Sequence, residues 1–324
     1  MNKFLLAAAL SLPFGSLAAE TLTVYTYDSF VSDWGPGPQI KAAFEAECDC
    51  TLEFVSAGDG AAVLSRLRLE GARTEADVVL GLDNSLMEQA RETGLFAPLA
   101  AAPEGLALPV DWADDTFVPY DWGYLAFIYD NTKHDLGPAD FEALAASNLS
   151  IVIQDPRSST PGLGLVLWVK AAYHDDAASI WQGLSDNIVT VTKGWSEAYG
   201  MFLEGEADLV LSYTTSPAYH LIAEGDPTKS ALQFSEGHYL QVEVAAKLAS
   251  SDQPALADEF LAFITSDAFQ SVIPETNWMY PATNAAVPEG FAQMISPAPV
   301  AGPLTISDAD RKAAVDEWVH ALSQ

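Results

Sequence analysis

Three features are scarce in this 324-residue sequence: cysteine, basic side chains and long apolar runs. Cys48 and Cys50 are its only cysteines, which argues against a disulfide-rich scaffold and against a cysteine-based zinc site. The five histidines are scattered, without metal-ligand spacing near those cysteines. We therefore predict a protein that holds neither a metal ion nor a cofactor.

Basic side chains are heavily outnumbered. The 14 Lys and Arg residues stand against 45 Asp and Glu, which gives a formal net charge of −31 at pH 7. Such a surface repels phosphate, so nucleic acid and anionic membranes are poor partners. The acidity has two interpretations, attraction of a cationic solute or solubility alone, and the second is the simpler. Net charge by itself does not choose a ligand.

The N-terminus carries a short apolar run, residues 4–10, which follows Lys3 and leads to the small residues Ala18 and Ala19. The run is too short to span a bilayer. This pattern is typical of a secretory signal peptide, which we predict for residues 1–19, and no later segment qualifies as a membrane span. We expect a soluble periplasmic protein; whether the two cysteines pair there stays open.

Length and hydrophobic pattern predict an α/β protein with two lobes. The chain is 49% hydrophobic and long enough to bury two cores. Segments with helical spacing alternate with β-branched and aromatic runs. The fold class that follows has two lobes, each a mixed, mainly parallel sheet flanked by helices, with a ligand cleft between them. The predicted strands cover residues 22–27, 52–55, 77–82, 151–153, 187–192, 208–212 and 239–245.

The chain is predicted to cross between the two lobes twice. An apolar run ending at Tyr129 suits a strand that crosses between them, and a second crossing is expected near residues 234–240. The first lobe is then 20–120 plus 237–280, and the second is 121–236. Residues 281–324 form a C-terminal helical segment whose lobe stays open; Ser307 is suited to cap its last helix, which runs through Leu322.

Hydroxyl groups cluster where two predicted helices begin. Ser159 and Thr160 precede one of them, and Thr214, Thr215 and Ser216 follow a strand that ends near Tyr213. Free backbone N–H groups and hydroxyls at a helix start can hold a phosphate or another anion. Ordinary helix capping is the alternative interpretation.

Aromatic residues also fall in or near the loops that follow predicted strands. Clustered rings can cover a planar heterocycle or a delocalised cation, although packing at the base of a loop is an equally good explanation for any one ring. Asp59, with Gly60 beside it, can accept hydrogen bonds from a ligand amino group or can simply shape a turn. The rings are Tyr27, Trp34, Trp195, Tyr213, Tyr219 and Trp278.

Several unbroken strings resemble the periplasmic thiamine-binding proteins of ABC transporters. They include LTVYTYDSF at 22–30, ADVVLGLDN at 76–84, VTKGWSEAY at 191–199, DLVLSYTTSPAYH at 208–220 and NWMYP at 277–281. The resemblance implies a type II periplasmic binding protein fold with thiamine, thiamine monophosphate or thiamine diphosphate in the cleft. It also implies delivery of the ligand to an ABC permease and ATPase complex at the inner membrane.

The same resemblance assigns ligand positions residue by residue. Those that match the family's ligand positions are Asp59, Gly60, Ser159, Thr160, Trp195, Tyr213, Thr214, Thr215 and Ser216. Tyr27, Tyr219 and Trp278 match family aromatics that are expected in the cleft. No catalytic residue is assigned.

Three alternatives stay open. Iron carriers of this fold resemble one another in using adjacent tyrosines, whereas Tyr213 is followed by Thr214. A polyamine suits the acidity but leaves the hydroxyl-rich turns without an anionic partner. A thiamine-cleaving enzyme needs an activated nucleophile, and the only cysteines fall at the end of the sheet away from the cleft.

Overall fold

The computed structural model describes residues 19–134 and 137–323. The predicted signal peptide therefore lies outside the described residues, apart from Ala19. Within the described ranges no helix is long and apolar enough to cross a membrane.

The strands join into one mixed sheet with the order β2-β1-β3-β9-β4-β7-β5-β6, and β8 and β10 both pair with β4. Two outer groups, β2-β1-β3 and β7-β5-β6, are parallel, whereas β4 and β9 run antiparallel to their neighbours. The described strands are β1 Thr21–Thr26, β2 Thr51–Ser56, β3 Val78–Asp83, β4 Val118–Asp130, β5 Ile151–Gln154, β6 Ile188–Thr192, β7 Leu209–Tyr213, β8 Lys229–Ala231, β9 Leu240–Lys247 and β10 Tyr280–Pro281.

Burial distinguishes central strands from edge strands. Every residue of β3 and β9 is buried, as expected for strands covered on both faces. In β6, at the edge of the sheet, Val189 and Val191 are exposed and alternate with more buried neighbours. The predicted α/β class is therefore observed.

Helices cover both faces of this sheet. The longest apolar one, α5, is buried continuously from Thr160 to Val169, which is the pattern of a helix enclosed by other elements. The α-helices are α1 Gly37–Cys48, α2 Gly60–Glu70, α3 Met87–Glu92, α4 Phe141–Ala145, α5 Thr160–Tyr173, α6 Ala177–Leu184, α7 Trp195–Leu203, α8 Ser216–Tyr219, α9 Pro254–Phe263, α10 Asp267–Gln270, α11 Ile273–Thr276 and α12 Asp308–Leu322.

One strand, β4, connects the two outer groups. Its residues 118–124 pair with β9, and its residues 125–129 pair with β7. We call β2, β1, β3, β9 and the first part of β4 the first half-sheet, and the second part of β4 with β7, β5 and β6 the second half-sheet. The predicted crossing strand is thus observed, while the predicted domain bounds stay a prediction.

The C-terminal helix belongs with the second half-sheet. Helix α12 packs against α5 and α6, and the ring centroids of Trp318 and Trp181 are 6.4 Å apart in an edge-to-face arrangement. Ser307 caps the helix, because its Oγ accepts a hydrogen bond from the N–H of Asp310 at 3.1 Å. The expected cap and helix end are confirmed. The structure also joins Cys48 to Cys50 in a disulfide.

Trp318 is 5% exposed, so its truncation should leave a large cavity between α12 and α6. We expect Trp318→Ala to lower the free energy of unfolding by about 3–5 kcal/mol. Val319→Ala is the matched control, because Val319 is 38% exposed on the same helix. Chemical denaturation of both variants checks this; equal losses would contradict the packing of α12 described above.

Candidate ligand-binding cavity

A cavity of about 540 Å³ opens where loops of the two half-sheets meet. Tyr27 follows β1 and Gly60 begins α2, whereas Thr160 begins α5 and Trp195 begins α7. These loops leave the carboxyl ends of parallel strands, which is where ligands settle in open α/β sheets. The size is within the usual range for small-molecule sites.

Nine of the twelve residues predicted from the sequence line this cavity. They are Tyr27, Asp59, Gly60, Thr160, Trp195, Tyr213, Ser216, Tyr219 and Trp278. Ser159, Thr214 and Thr215 are fully buried behind the wall instead. The Ser159 hydroxyl donates to Asp59, and the Thr215 hydroxyl lies 4.0 Å from the Met279 sulfur. A ligand contact for any of the twelve stays a prediction.

Asp59 connects three helix starts across the cavity. It precedes α2, and one carboxylate oxygen, Oδ2, accepts hydrogen bonds from Ser159 Oγ at 2.6 Å and from the Trp195 N–H at 2.9 Å. Burial raises the pKa of Asp59 to about 6, although both hydrogen bonds oppose this shift. Asp59 therefore already has partners on α5 and α7 rather than pointing freely at a solute.

Gly60 is required by close packing. A Cβ at this position would lie 2.0 Å from the Gly81 carbonyl oxygen and 2.8 Å from Thr160 Cγ2. Any side chain would therefore separate α2 from the start of α5. Packing thus explains the glycine at this position without a ligand, and its ligand contact stays a prediction.

Aromatic rings form two pairs in the cavity wall. Trp195 stacks on Tyr199 with 5.0 Å between ring centroids, and its indole N–H donates to Ser212 Oγ at 2.8 Å. Tyr219 and Trp278 meet edge to face at 5.4 Å. Trp278 has a φ of 55°, a left-handed backbone conformation that is uncommon for a bulky residue. Contacts within each pair therefore fix the orientation of the rings that line the cavity.

Sequence reasoning missed Glu243 and Asn277, which also line the cavity. Glu243 Oε2 accepts hydrogen bonds from the hydroxyls of Tyr27 at 2.9 Å and Tyr120 at 2.7 Å. The Asn277 amide donates to Asp121 Oδ2 at 2.6 Å. The available signal was an acidic residue inside the string Leu240–Ala246, whose only other polar residue is Gln241 and where a carboxylate is unexpected unless it is used.

Glu243 is the middle member of a row of carboxylates. Asp83 on β3 and Asp121 on β4 are both its direct cross-strand partners, since β9 lies between those strands. Burial raises the pKa of all three groups, that of Asp83 to about 7 and that of Asp121 well above its usual range. Among the described residues that line the cavity, none is Lys, Arg or His. The site thus offers negative charge without a basic partner.

Residues 36–271 match the family model described as bacterial extracellular solute-binding protein. The chain belongs to this family. It is 54% identical to the thiamine-binding periplasmic protein of Escherichia coli K12, over 95% of each chain, and 47% identical to that of Brucella suis, over 99% of this chain and 98% of the relative. The family resemblance predicted from the sequence is confirmed.

Solved structures agree with this assignment. A periplasmic thiamin binding protein superposes with a TM-score of 0.91 and 52% identity, covering 97% of this chain and all of the other. A ferric binding protein from Campylobacter jejuni gives a TM-score of 0.74 at 17% identity, with 93% of this chain and 98% of the other covered, which shows the fold alone. The predicted two-lobed periplasmic binding protein fold is confirmed, and the family's role is solute binding.

The raised pKa of Asp83 makes stability depend on pH. Unfolded Asp titrates near 4, so between roughly pH 4 and 7 the folded protein holds a proton that the unfolded chain lacks. The free energy of unfolding therefore falls as the pH rises through this window. We expect Asp83→Asn to remove on the order of 3 kcal/mol of the decline between about pH 5 and 8. Chemical denaturation of the ligand-free protein and of the variant at both pH values measures this change in the free energy of unfolding.

Asp226→Asn is the control for this measurement. Hydrogen bonds from Thr228 hold the pKa of the half-buried Asp226 at about 2, so this residue is ionised throughout the window and its replacement should leave the decline intact. An Asp83→Asn protein with the same pH dependence as the unmodified protein would show that Asp83 does not hold the proton.

Proposed function

We propose that this protein captures thiamine or its phosphate esters in the periplasm and delivers them to an ABC permease and ATPase complex at the inner membrane. The observation that carries the proposal is the cavity itself, which combines paired aromatic rings with buried carboxylates and has no basic side chain in its described wall. The 54% identity to a thiamine-binding periplasmic protein supports the same ligand.

The chemistry of thiamine matches the groups in the wall. The positively charged thiazolium suits the faces of Trp195, Tyr213 and Trp278. The aminopyrimidine needs hydrogen-bond acceptors and donors, which carboxylates and backbone groups near Asp59 and Gly60 provide. We assign ligand contact to the nine predicted residues that line the cavity, and a supporting position behind its wall to Ser159, Thr214 and Thr215.

The hydroxyethyl arm, or the phosphate of an ester, is assigned to the helix starts. Thr160 and Ser216 line the cavity at the first residues of α5 and α8. Backbone N–H groups at the start of a helix as long as α5 favour an anion. With no basic side chain in the described wall, an ester phosphate would depend on these groups alone, and thiamine itself would need them least.

A catalytic role is disfavoured. A thiamine-cleaving reaction needs a nucleophile beside the ligand, and the two cysteines are bonded to each other. They also precede β2, whereas the cavity loop at Asp59 follows this strand. The strand therefore separates the sulfur atoms from the ligand. We propose a binding protein without enzymatic turnover.

Isothermal titration of the ligand-stripped mature protein tests the proposal. Thiamine, its monophosphate and its diphosphate are titrated in turn, with spermidine and ferric citrate as controls. Tight one-to-one binding of thiamine compounds alone is expected. If none of the three thiamine compounds gives a heat of binding, thiamine capture is rejected. Binding of ferric citrate or spermidine instead would support an iron carrier or a polyamine carrier, respectively.

Trp195 offers a sharper test of the aromatic wall. Removing its ring by Trp195→Ala should weaken thiamine binding by about one to two orders of magnitude if that ring covers the cation away from water. Trp195→Phe keeps an aromatic face and should retain most of the affinity. Titration of both variants with thiamine measures these affinities. If the Ala variant binds thiamine as tightly as the unmodified protein does, Trp195 is not one of the ligand contacts.

A further inference from the structure

The carboxylate row of Asp83, Glu243 and Asp121 is buried, and no Lys, Arg or His in the described part of the chain forms an ion pair with it. Asp83 and Asp121 are 0% exposed and Glu243 is 6% exposed. Taking charged carboxylates out of water is costly unless each has a partner of opposite charge. Lys247, on the same strand as Glu243, is engaged with Asp258 instead. The fold therefore retains a feature that lowers its own stability.

The groups that face Glu243 are polar but uncharged, or acidic. Tyr27 and Tyr120 donate their hydroxyl groups to it, and the Gln241 amide donates to Oε1 at 3.3 Å. The Asn277 amide nitrogen lies 3.5 Å from Oε2. Across the neighbouring strands stand only the carboxyl groups of Asp83 and Asp121, described above. Among the residues that the structure describes, the groups facing Glu243 thus provide hydrogen bonds but no positive charge.

Hydrogen bonding differs between the members of the row and favours the ionised form of Glu243. Glu243 accepts two phenolic hydrogen bonds, which favour its charged form. Asn277 donates to one oxygen of Asp121 and Ser85 donates to one oxygen of Asp83. The second oxygen of each, Asp121 Oδ1 and Asp83 Oδ2, is buried and has no hydrogen-bond partner among the described residues. An oxygen without a partner is tolerated better on a neutral carboxyl group than on a charged one. Asp83 and Asp121 therefore hold protons most readily, and the negative charge of the row concentrates on Glu243.

Glu243 is also the member of the row that reaches the cavity, where the aromatic residues Tyr27 and Tyr213 share its wall. We propose that Glu243 supplies the counter-charge for the cationic ring of the ligand, and so makes the cavity prefer an organic cation over a neutral molecule of the same shape. This inference rests on the proposed capture of thiamine. Burial makes the charged carboxylate of Glu243 costly in the ligand-free protein. The same burial strengthens its attraction to a bound cation, because charges attract more strongly away from water.

The test compares thiamine with 3-deazathiamine, a neutral analogue in which carbon replaces the charged ring nitrogen. Titration of the unmodified protein should show a preference for thiamine. Glu243→Gln should weaken thiamine binding by roughly 10- to 100-fold, because a buried charge pair is lost. Binding of the neutral analogue should change little, so the ratio of thiamine affinity to analogue affinity should fall by about the same factor as thiamine binding.

Glu275→Gln is the matched control. Glu275 also borders the cavity and loses the same charge in this variant, but its side chain is exposed and screened by water. The change in the affinity ratio should be much smaller than for Glu243→Gln. Similar changes in the two variants would show that total charge, rather than the buried position of Glu243, sets the preference.

Thermal unfolding separates a binding role from a structural one. In Glu243→Gln the amide oxygen can still accept from both tyrosines while a buried charge is gone, so the ligand-free variant should melt at the same temperature or higher. A lower melting temperature with equal losses for both ligands would overturn the inference in favour of a structural role.

The two proposals fail in distinguishable ways. If the unmodified protein binds thiamine and its neutral analogue equally well, or if Glu243→Gln leaves their ratio unchanged, the counter-charge inference is wrong and thiamine capture stands. If the unmodified protein binds neither compound, thiamine capture fails and the inference that rests on it fails as well.

Discussion

The strand β4, which belongs to both half-sheets, is the constraint on which the rest of the structure depends. Its first part pairs with β9 and its second part with β7, so one strand fixes the position of both half-sheets. The loops that follow the parallel strands of each group are thereby brought to a common cavity. This is why Asp59 can accept hydrogen bonds from Ser159 and Trp195, although 100 and 136 residues separate it from them.

The same backbone pairing determines the electrostatics of the cavity. Because β9 lies between β3 and β4, its register places Glu243 directly beside Asp83 and Asp121. A stable core would replace such a row with apolar side chains. Local features that oppose stability are expected at functional sites, where the rest of the fold offsets their cost. The row therefore carries more information about function than the apolar core that surrounds it.

Local sequence patterns predicted the elements well, because helix caps and strand periodicity depend on neighbours along the chain. The final helix, its Ser307 cap and the loop residues at the carboxyl ends of strands are examples. Glu243 was not predicted, since its role depends on cross-strand neighbours 160 and 122 residues away in the chain. For the same reason the sequence did not show that Ser159, Thr214 and Thr215 lie behind the cavity wall rather than in it.

The acidic composition had two interpretations, solubility and attraction of a cationic solute, and the structure assigns them to different side chains. Most of the 45 acidic side chains are not buried and act through solvent, where salt screens the interaction of charges more than about 10 Å apart. They favour solubility and give little discrimination between one small solute and another. Glu243 is different, because burial removes the screening water and the described cavity wall contains no basic side chain to neutralise it. Preference for a cation therefore depends on where one carboxylate lies, and the excess of the other acidic residues over basic ones is compatible with many ligands.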